Sequence, residues 1–329
     1  MIGNPQEMRA LTHELTTSTW TLTAIGALLE SGLVEHLGEP RSIDDLAARV
    51  PAFSATVIER CLAVAVAAGV VVGDGVHYRL AEGAKPFAQA PMRSALLGDI
   101  RAQLMQALAF LDSSKGSTIS TGPAWHHTDA ALLQAQGDAS AVFAPMLKAN
   151  MVASMGDLAG RLDGPDARFL DIGVGVASLA IAMCRSWPEL RVVGLDTFDV
   201  PLGIARQNVA RANLSHRIEL RQLAVQELHD EESFDLAWLP SFFVAAPVLA
   251  TAVARVRAAL RPGGWMLFAI GGLAGNDRPA AVSALRSELW GGPALSTTQA
   301  ESLLKGTGFS TIRALPGPPW APPIVIAQR

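Results

Sequence analysis

Two sets of residues in this 329-residue chain have types and spacing suited to chemistry. The first is the run Asp171-Ile172-Gly173-Val174-Gly175-Val176-Ala177, followed 25 positions after Asp171 by a second acid, Asp196. Glycines let the backbone turn tightly and come close to a ligand, and the helix that opens behind them offers unpaired N–H groups to a negative group. A carboxylate such as Asp196, ending the next apolar segment, accepts hydrogen bonds from both hydroxyls of a ribose. The combination points to an adenosine-type ligand. The second set is His126-His127 in GPAWHHTD. A loop histidine titrates near neutral pH and reaches into pockets, so the pair are candidate general bases. The competing reading is an exposed pair beside a packing anchor, Trp125.

Two adenosine cofactors fit the first set. The spacing Gly173-x-Gly175-x-x-Ser178 lacks the third glycine of a dinucleotide fingerprint. Asp171 beside the loop would repel a pyrophosphate and attract an ammonium. This favours S-adenosylmethionine, whose methionine part carries an ammonium; in the competing reading Asp171 only caps the loop. The two cysteines, Cys61 and Cys184, lie far apart in sequence, and no third ligand accompanies the adjacent histidines, so no metal site is expected.

Positioning these residues requires an α/β frame. From Arg168 onward, apolar strands (RFLDIGV, RVVGLD, RIELRQLA, SFDLAWLP, WMLFAI) alternate with helical segments, the signature of a parallel sheet covered on both faces. FSTIRALPG and PPIVIAQR, joined by a Pro-rich loop, read as an antiparallel pair at the sheet edge. Upstream, Pro5 to Leu37 is helical, Ser42 caps a short helix, a third helix runs from about Ser54 to Ala68, and VVVGDGVHYRL is a hairpin. Three helices and a two-stranded wing form a winged-helix pattern. Ser140 to Leu162 reads as one long helix carrying Phe143, Met146, Asn150, Met151 and Met155. The expected division is 1–110 (helical, winged-helix-like), 111–163 (connecting, pocket-lining helices) and 164–329 (the cofactor-binding sheet).

A winged helix raises the question of DNA. Between Glu35 and Ala90 seven acidic residues outnumber five basic ones, and SATVIERCLAVAVAAG in the recognition position holds one arginine. Such a helix lacks the basic stripe that neutralises phosphates, so the segment is expected to pair with protein, as a dimerisation domain, and not with nucleic acid. Half of the residues are hydrophobic, 17% are charged and the formal net charge is −4, which excludes general disorder. The longest uncharged apolar stretch, Cys61 to Gly73, is too short to span a bilayer, and the N-terminus lacks an apolar signal core, so no membrane partner and a reducing, cytoplasmic location are expected.

LDIGVGVASLAIA, VVGLD, FDLAWL and VRAALRPGGWMLF, in this order and spacing, resemble a class I S-adenosylmethionine-dependent methyltransferase. The preceding winged-helix pattern is similar to the small-molecule O-methyltransferase subfamily. The resemblance covers nearly the whole chain. It implies a Rossmann-like seven-stranded sheet with its last strand antiparallel, Gly173 and Gly175 beside the methionine part, Asp196 on the ribose, and a homodimer formed through the N-terminal helices. Thr197, Phe198 and Leu239 are expected on the walls of the cofactor site, and Trp125, Phe143, Met146, Asn150, Met151, Met155, Phe242 and Phe243 around an apolar acceptor; enzymes of this subfamily commonly serve secondary metabolism.

Two departures matter. Where the family often has Gly-Asp to hold adenine, this chain has Leu223 and Ala224, so adenine falls to backbone groups of Ala224 and Val225 or to Gln226. Where many members carry a catalytic His after the fourth strand, the chain has Phe242 in SFFVAAPV. Methyl transfer from a sulfonium needs positioning and desolvation, and a base only for a protonated acceptor. The expected function is methyl transfer to an oxygen, nitrogen or carbon of a small apolar molecule without that His. The alternatives are the same fold using the cofactor as a non-methylating prop, for decarboxylation, hydroxylation or a pericyclic reaction, and a winged-helix regulator.

Overall fold

The computed structural model describes residues 2–113, 125, 127–272, 275–317 and 321–329. The chain divides into two compact units, Met1–Leu108 and Ala109–Arg329.

In the first unit the 26-residue helix α1 (Pro5–Glu30) is started by Asn4, whose side chain accepts the N–H groups of Gln6 and Glu7. Strand β1 (Arg41–Ser42) leads into α2 (Ile43–Arg49), capped by Ser42, and α3 (Ala55–Ala67) is capped by Ser54. Strands β2 (Val71–Gly73) and β3 (His77–Leu80) make the expected hairpin, with Asp74 accepting the N–H groups of Val76 and His77 in the turn. β1 adds to β3, giving a three-stranded sheet in the order β1-β3-β2. Leu28, Leu33, Leu37, Leu46, Ile58 and Leu62 fill its core. α4 (Met92–Ser113) follows.

The second unit contains α5 (Ala130–Ser140), whose first turn is capped by Asp129 through the Leu132 N–H at 2.8 Å. The single long helix expected from Ser140 to Leu162 is absent: α6 (Phe143–Asn150) and α7 (Leu158–Leu162) are separate helices. Pro145 explains the first break. It lacks the N–H that would bond the Ala141 carbonyl, so it is tolerated only in the first turn of a new helix. Gly156, at φ 61°, marks the second.

The sheet then forms from β4 (Arg168–Ile172), α8 (Ser178–Ser186), β5 (Arg191–Asp196), α9 (Asp199–Arg211), β6 (Ile218–Gln222), β7 (Phe234–Pro240), α10 (Ala246–Ala259), β8 (Leu260–Ala269), α11 (Arg278–Trp290), α12 (Thr297–Gly306), β9 (Ser310–Ala314) and β10 (Ile324–Gln328). The strand order is β6-β5-β4-β7-β8-β10-β9. β6, β5, β4, β7 and β8 are parallel, and β10 runs antiparallel to both neighbours, β8 and β9. This is the expected seven-stranded sheet. β4 is buried along almost its whole length, as a central strand covered on both faces must be. One face packs on a core built around Phe169, Trp187, Leu236 and Leu267, the other around Leu170, Phe234, Met266 and Phe268. The register sets Asp171 opposite Gly194 of β5 and Trp238 of β7, so the loops leaving β4, β5 and β7 open at one edge. No helix among the described residues is long and apolar enough to cross a membrane.

Candidate functional site

The loop after β4 is wound by three left-handed residues, Gly173 (φ 71°), Gly175 (φ 55°) and Ala177 (φ 66°), the last capping α8. Glycine takes this conformation without steric cost, which is why the loop carries two. β5 holds the loop down: the N–H groups of Gly173 and Val174 both donate to the Leu195 carbonyl, at 2.8 and 2.9 Å. The Asp196 carboxylate accepts from Gly175 N–H and Phe198 N–H, each at 3.0 Å. Burial raises its pKa, and these N–H bonds pull it back down. Asp171 lies at the bottom of the loop, 2% exposed, with no hydrogen-bond partner for Oδ2. Burial, and secondarily the neighbouring Asp196 charge, pushes its pKa up to about 8, so it is protonated at neutral pH.

These residues open into a cavity of about 390 Å³. Asp171, Gly173, Gly175, Asp196, Thr197, Phe198, Ala224, Val225 and Gln226 all line it. So do Trp125, Phe242 and Phe243, which build an aromatic wall. Ring centroids are 5.1 Å apart for Trp125 and Phe243 and 4.9 Å for Phe242 and Phe243, and Trp290 backs both phenylalanines at 5.4 and 5.3 Å. Phe242 stands where the resemblance puts a histidine.

Seven expected residues lie elsewhere. Leu239 is fully buried in the core on one face of β7, and the neighbours Trp238 and Pro240 line the cavity instead, because side chains alternate along a strand. Phe143 packs behind Trp238, with ring centroids 4.7 Å apart, Met151 is half-buried against the same core, and Met155 is fully buried in it. Met146 and Asn150 are exposed. No residue of α6 lines the cavity; its buried Ala144 and Leu147 pack into the core around Phe169 and Trp187 instead. His127 is half-buried with its ring 4.6 Å from that of Trp125, and it does not line the cavity. His126 lies outside the described residues.

Residues without a role in the sequence reading complete the wall. α5 contributes Leu133, Gln136, Gly137 and Ser140. A Cβ at Gly137 would overlap the Val176 side chain, so glycine permits the helix to lie on the loop. A lone glycine within a short helix was the signal available for this close approach. No group of three or more potential metal ligands occurs among the described residues. A second cavity, of about 550 Å³, opens at the other end of the strands beside Arg168, Arg191, Arg217 and Arg261. Two of these arginines hold the frame: Arg217 donates to the Cys184 and Trp187 carbonyls, and Arg261 pairs with buried Asp235 at 2.7 Å.

Comparison with known proteins agrees with this geometry. Residues 169–264 match the family described as a methyltransferase domain. A release factor glutamine methyltransferase of Rhodopirellula baltica is 33% identical over 88 residues, a stretch spanning 26% of this chain and 30% of that relative's length. An O-methyltransferase family protein from Burkholderia thailandensis superposes with a TM-score of 0.67 at 14% identity, covering 100% of this chain and 99% of the other. Human N-acetylserotonin methyltransferase, solved with S-adenosylmethionine, gives 0.62 at 18% identity, covering 100% and 99%. Residues 169–264 thus match a methyltransferase domain, and from end to end the chain shares the fold of these solved methyltransferases.

Proposed function

We propose that the protein transfers the methyl group of S-adenosylmethionine to a small, largely apolar acceptor. The observation that carries this is the buried Asp171 carboxyl, whose Oδ2 has no partner beside a glycine loop and the Asp196 carboxylate. A buried polar atom left unpaired is costly, and a ligand ammonium at Asp171 removes that cost. Asp196 takes the ribose hydroxyls, Thr197 and Phe198 wall the nucleoside, and Ala224, Val225 and Gln226 receive the adenine. The cofactor supplies a methyl group on a sulfonium, open to in-line displacement.

The acceptor half is made by Trp125, Trp238, Phe242 and Phe243. These rings exclude water and orient a flat or apolar acceptor, which serves positioning and desolvation. Among the described lining residues only Asp171 and Asp196 titrate, and both belong to the cofactor half. The described lining suits a nucleophile that needs no proton removed: an amine, an acidic hydroxyl already ionised, or a stabilised carbanion. The same lack of a base favours, as second reading, a non-methylating use of the cofactor. For an acceptor that does enter with a proton, His126 and His127 remain the candidate bases of the chain. Residues 111–163 contribute part of the pocket, residues 1–110 form a homodimer, and the protein works in the cytoplasm, in secondary metabolism, without nucleic-acid or membrane partners.

Calorimetry tests the cofactor assignment. The wild type is expected to bind S-adenosylmethionine at one site, and Asp196→Ala to lose about tenfold or more in affinity, as removal of a charged hydrogen-bond acceptor does. Absence of binding overturns the proposal, and unchanged affinity in the variant removes Asp196 from the ribose. Release of S-adenosylhomocysteine during turnover separates methyl transfer from the second reading.

A further inference from the structure

The α5 wall of the cavity and the glycine loop are tied by one side chain that faces neither ligand. Asn208, half-buried on α9, donates both amide hydrogens: one to the Gln134 Oε1 of α5 at 2.9 Å, the other to the Val176 carbonyl of the glycine loop at 3.0 Å. Gln134 in turn donates to Asp138 at 2.7 Å, and the hydroxyl of Ser178, the first residue of α8, donates to the same Asp138 oxygen at 3.4 Å. The chain of bonds runs α9 to α5 to the start of α8 and returns to the loop. Gly137 sits inside this ring of contacts, against Val176.

We infer that Asn208 is a positioning residue that couples the α5 wall to the cofactor loop, so that ordering the loop around a bound nucleoside also orders the helix bounding the rest of the cavity. Three left-handed residues in five make the loop a conformation that neighbours must hold. β5 holds it from one side, through Leu195 and Asp196, and Asn208 holds the Val176 carbonyl from the other. The Asn208 amide has two hydrogens, and the loop and α5 take one each, so the two elements share one anchor. Leu133, Gln136, Gly137 and Ser140 then stand at fixed distances from the loop. A ligand that rigidifies the loop lowers the ordering cost of a second ligand against α5, which is positive coupling between the two halves of the site.

The inference rests on the cavity being the S-adenosylmethionine site, and the test keeps the two apart. S-adenosylhomocysteine is titrated into the wild type, Asn208→Ala and Gln134→Ala, and amide hydrogen exchange is followed over residues 130–140 with and without it. In the wild type, binding is expected to slow exchange across α5. Asn208→Ala should lower affinity about tenfold and abolish the α5 response, since both anchors go. Gln134→Ala leaves the bond from Asn208 to Val176 in place, so affinity should change by about twofold or less while the α5 response is lost. A purely structural role would lower thermal stability equally with and without ligand and would leave the ligand-dependent exchange intact. Wild-type affinity and a wild-type α5 response in both variants overturn the coupling. Failure of the wild type itself to bind overturns the cofactor reading.

Discussion

At the scale of the residue, Asp171 carries the most distinctive expectation. Its folded pKa, about 8, lies above the ordinary carboxylate value near 4. The folded chain therefore holds a proton between those values that the unfolded chain has released, and stability from this group falls as pH rises from about 4 to about 8. Asp171→Asn should flatten that part of the Tm–pH profile of the ligand-free protein. Pairing with an ammonium requires the ionised carboxyl, so wild-type affinity for S-adenosylhomocysteine should rise with pH up to about 8 and level off, whereas Asp171→Asn should bind weakly and without that slope. Calorimetry at several pH values checks both, and a flat wild-type profile would count against the pairing. The identity of Asp171 and Asp196 was legible in the sequence because a glycine run flanked by apolar strands leaves few places for a polar side chain to point. The raised pKa was not: it depends first on complete burial beneath the folded loop, and second on the charge of Asp196, 25 positions away in sequence.

At the scale of the element, the alternating strands and helices were legible because each strand is an apolar run ending in a turn residue. Side-chain parity was not, as Leu239 shows: an apolar strand buried on both faces gives no alternation from which to choose between Leu239 and Trp238. The acceptor helix failed for a different reason. Methionines at helical spacing suggest one continuous face, which Pro145 interrupts. The contact of α5 with the loop was not legible either, because it depends on Gly137 meeting Val176, a residue distant in sequence. Gly137→Ala should strain that contact, lowering Tm and costing about 1–3 kcal/mol, in line with overpacking of a filled interior. Thermal denaturation measures the loss, and an unchanged Tm would mean that α5 shifts freely off the loop.

At the scale of the whole molecule, the apolar composition has two destinations. The cores of the sheet account for much of it, and α1 carries a second share on its surface. Trp20 is 70% exposed, and Met8 and Leu15 are exposed on the same helix. The hydroxyls of Thr12, Thr16, Thr19, Thr21 and Thr23 bond back to carbonyls four residues earlier, so their polar groups are already satisfied within the helix. Such a surface suits contact with a second copy of the chain, and Trp20→Glu should shift a dimer towards monomer in light scattering. An unchanged mass would exclude α1 from the interface. The most direct measurement of the central claim is a crystal structure with S-adenosylhomocysteine. The predicted result is the ligand in the cavity between the glycine loop and the aromatic wall, its ammonium within hydrogen-bond distance of Asp171, its ribose on Asp196 and its sulfur facing Phe242 and Trp125. A ligand bound elsewhere, or one that leaves Asp171 unpaired, would contradict it.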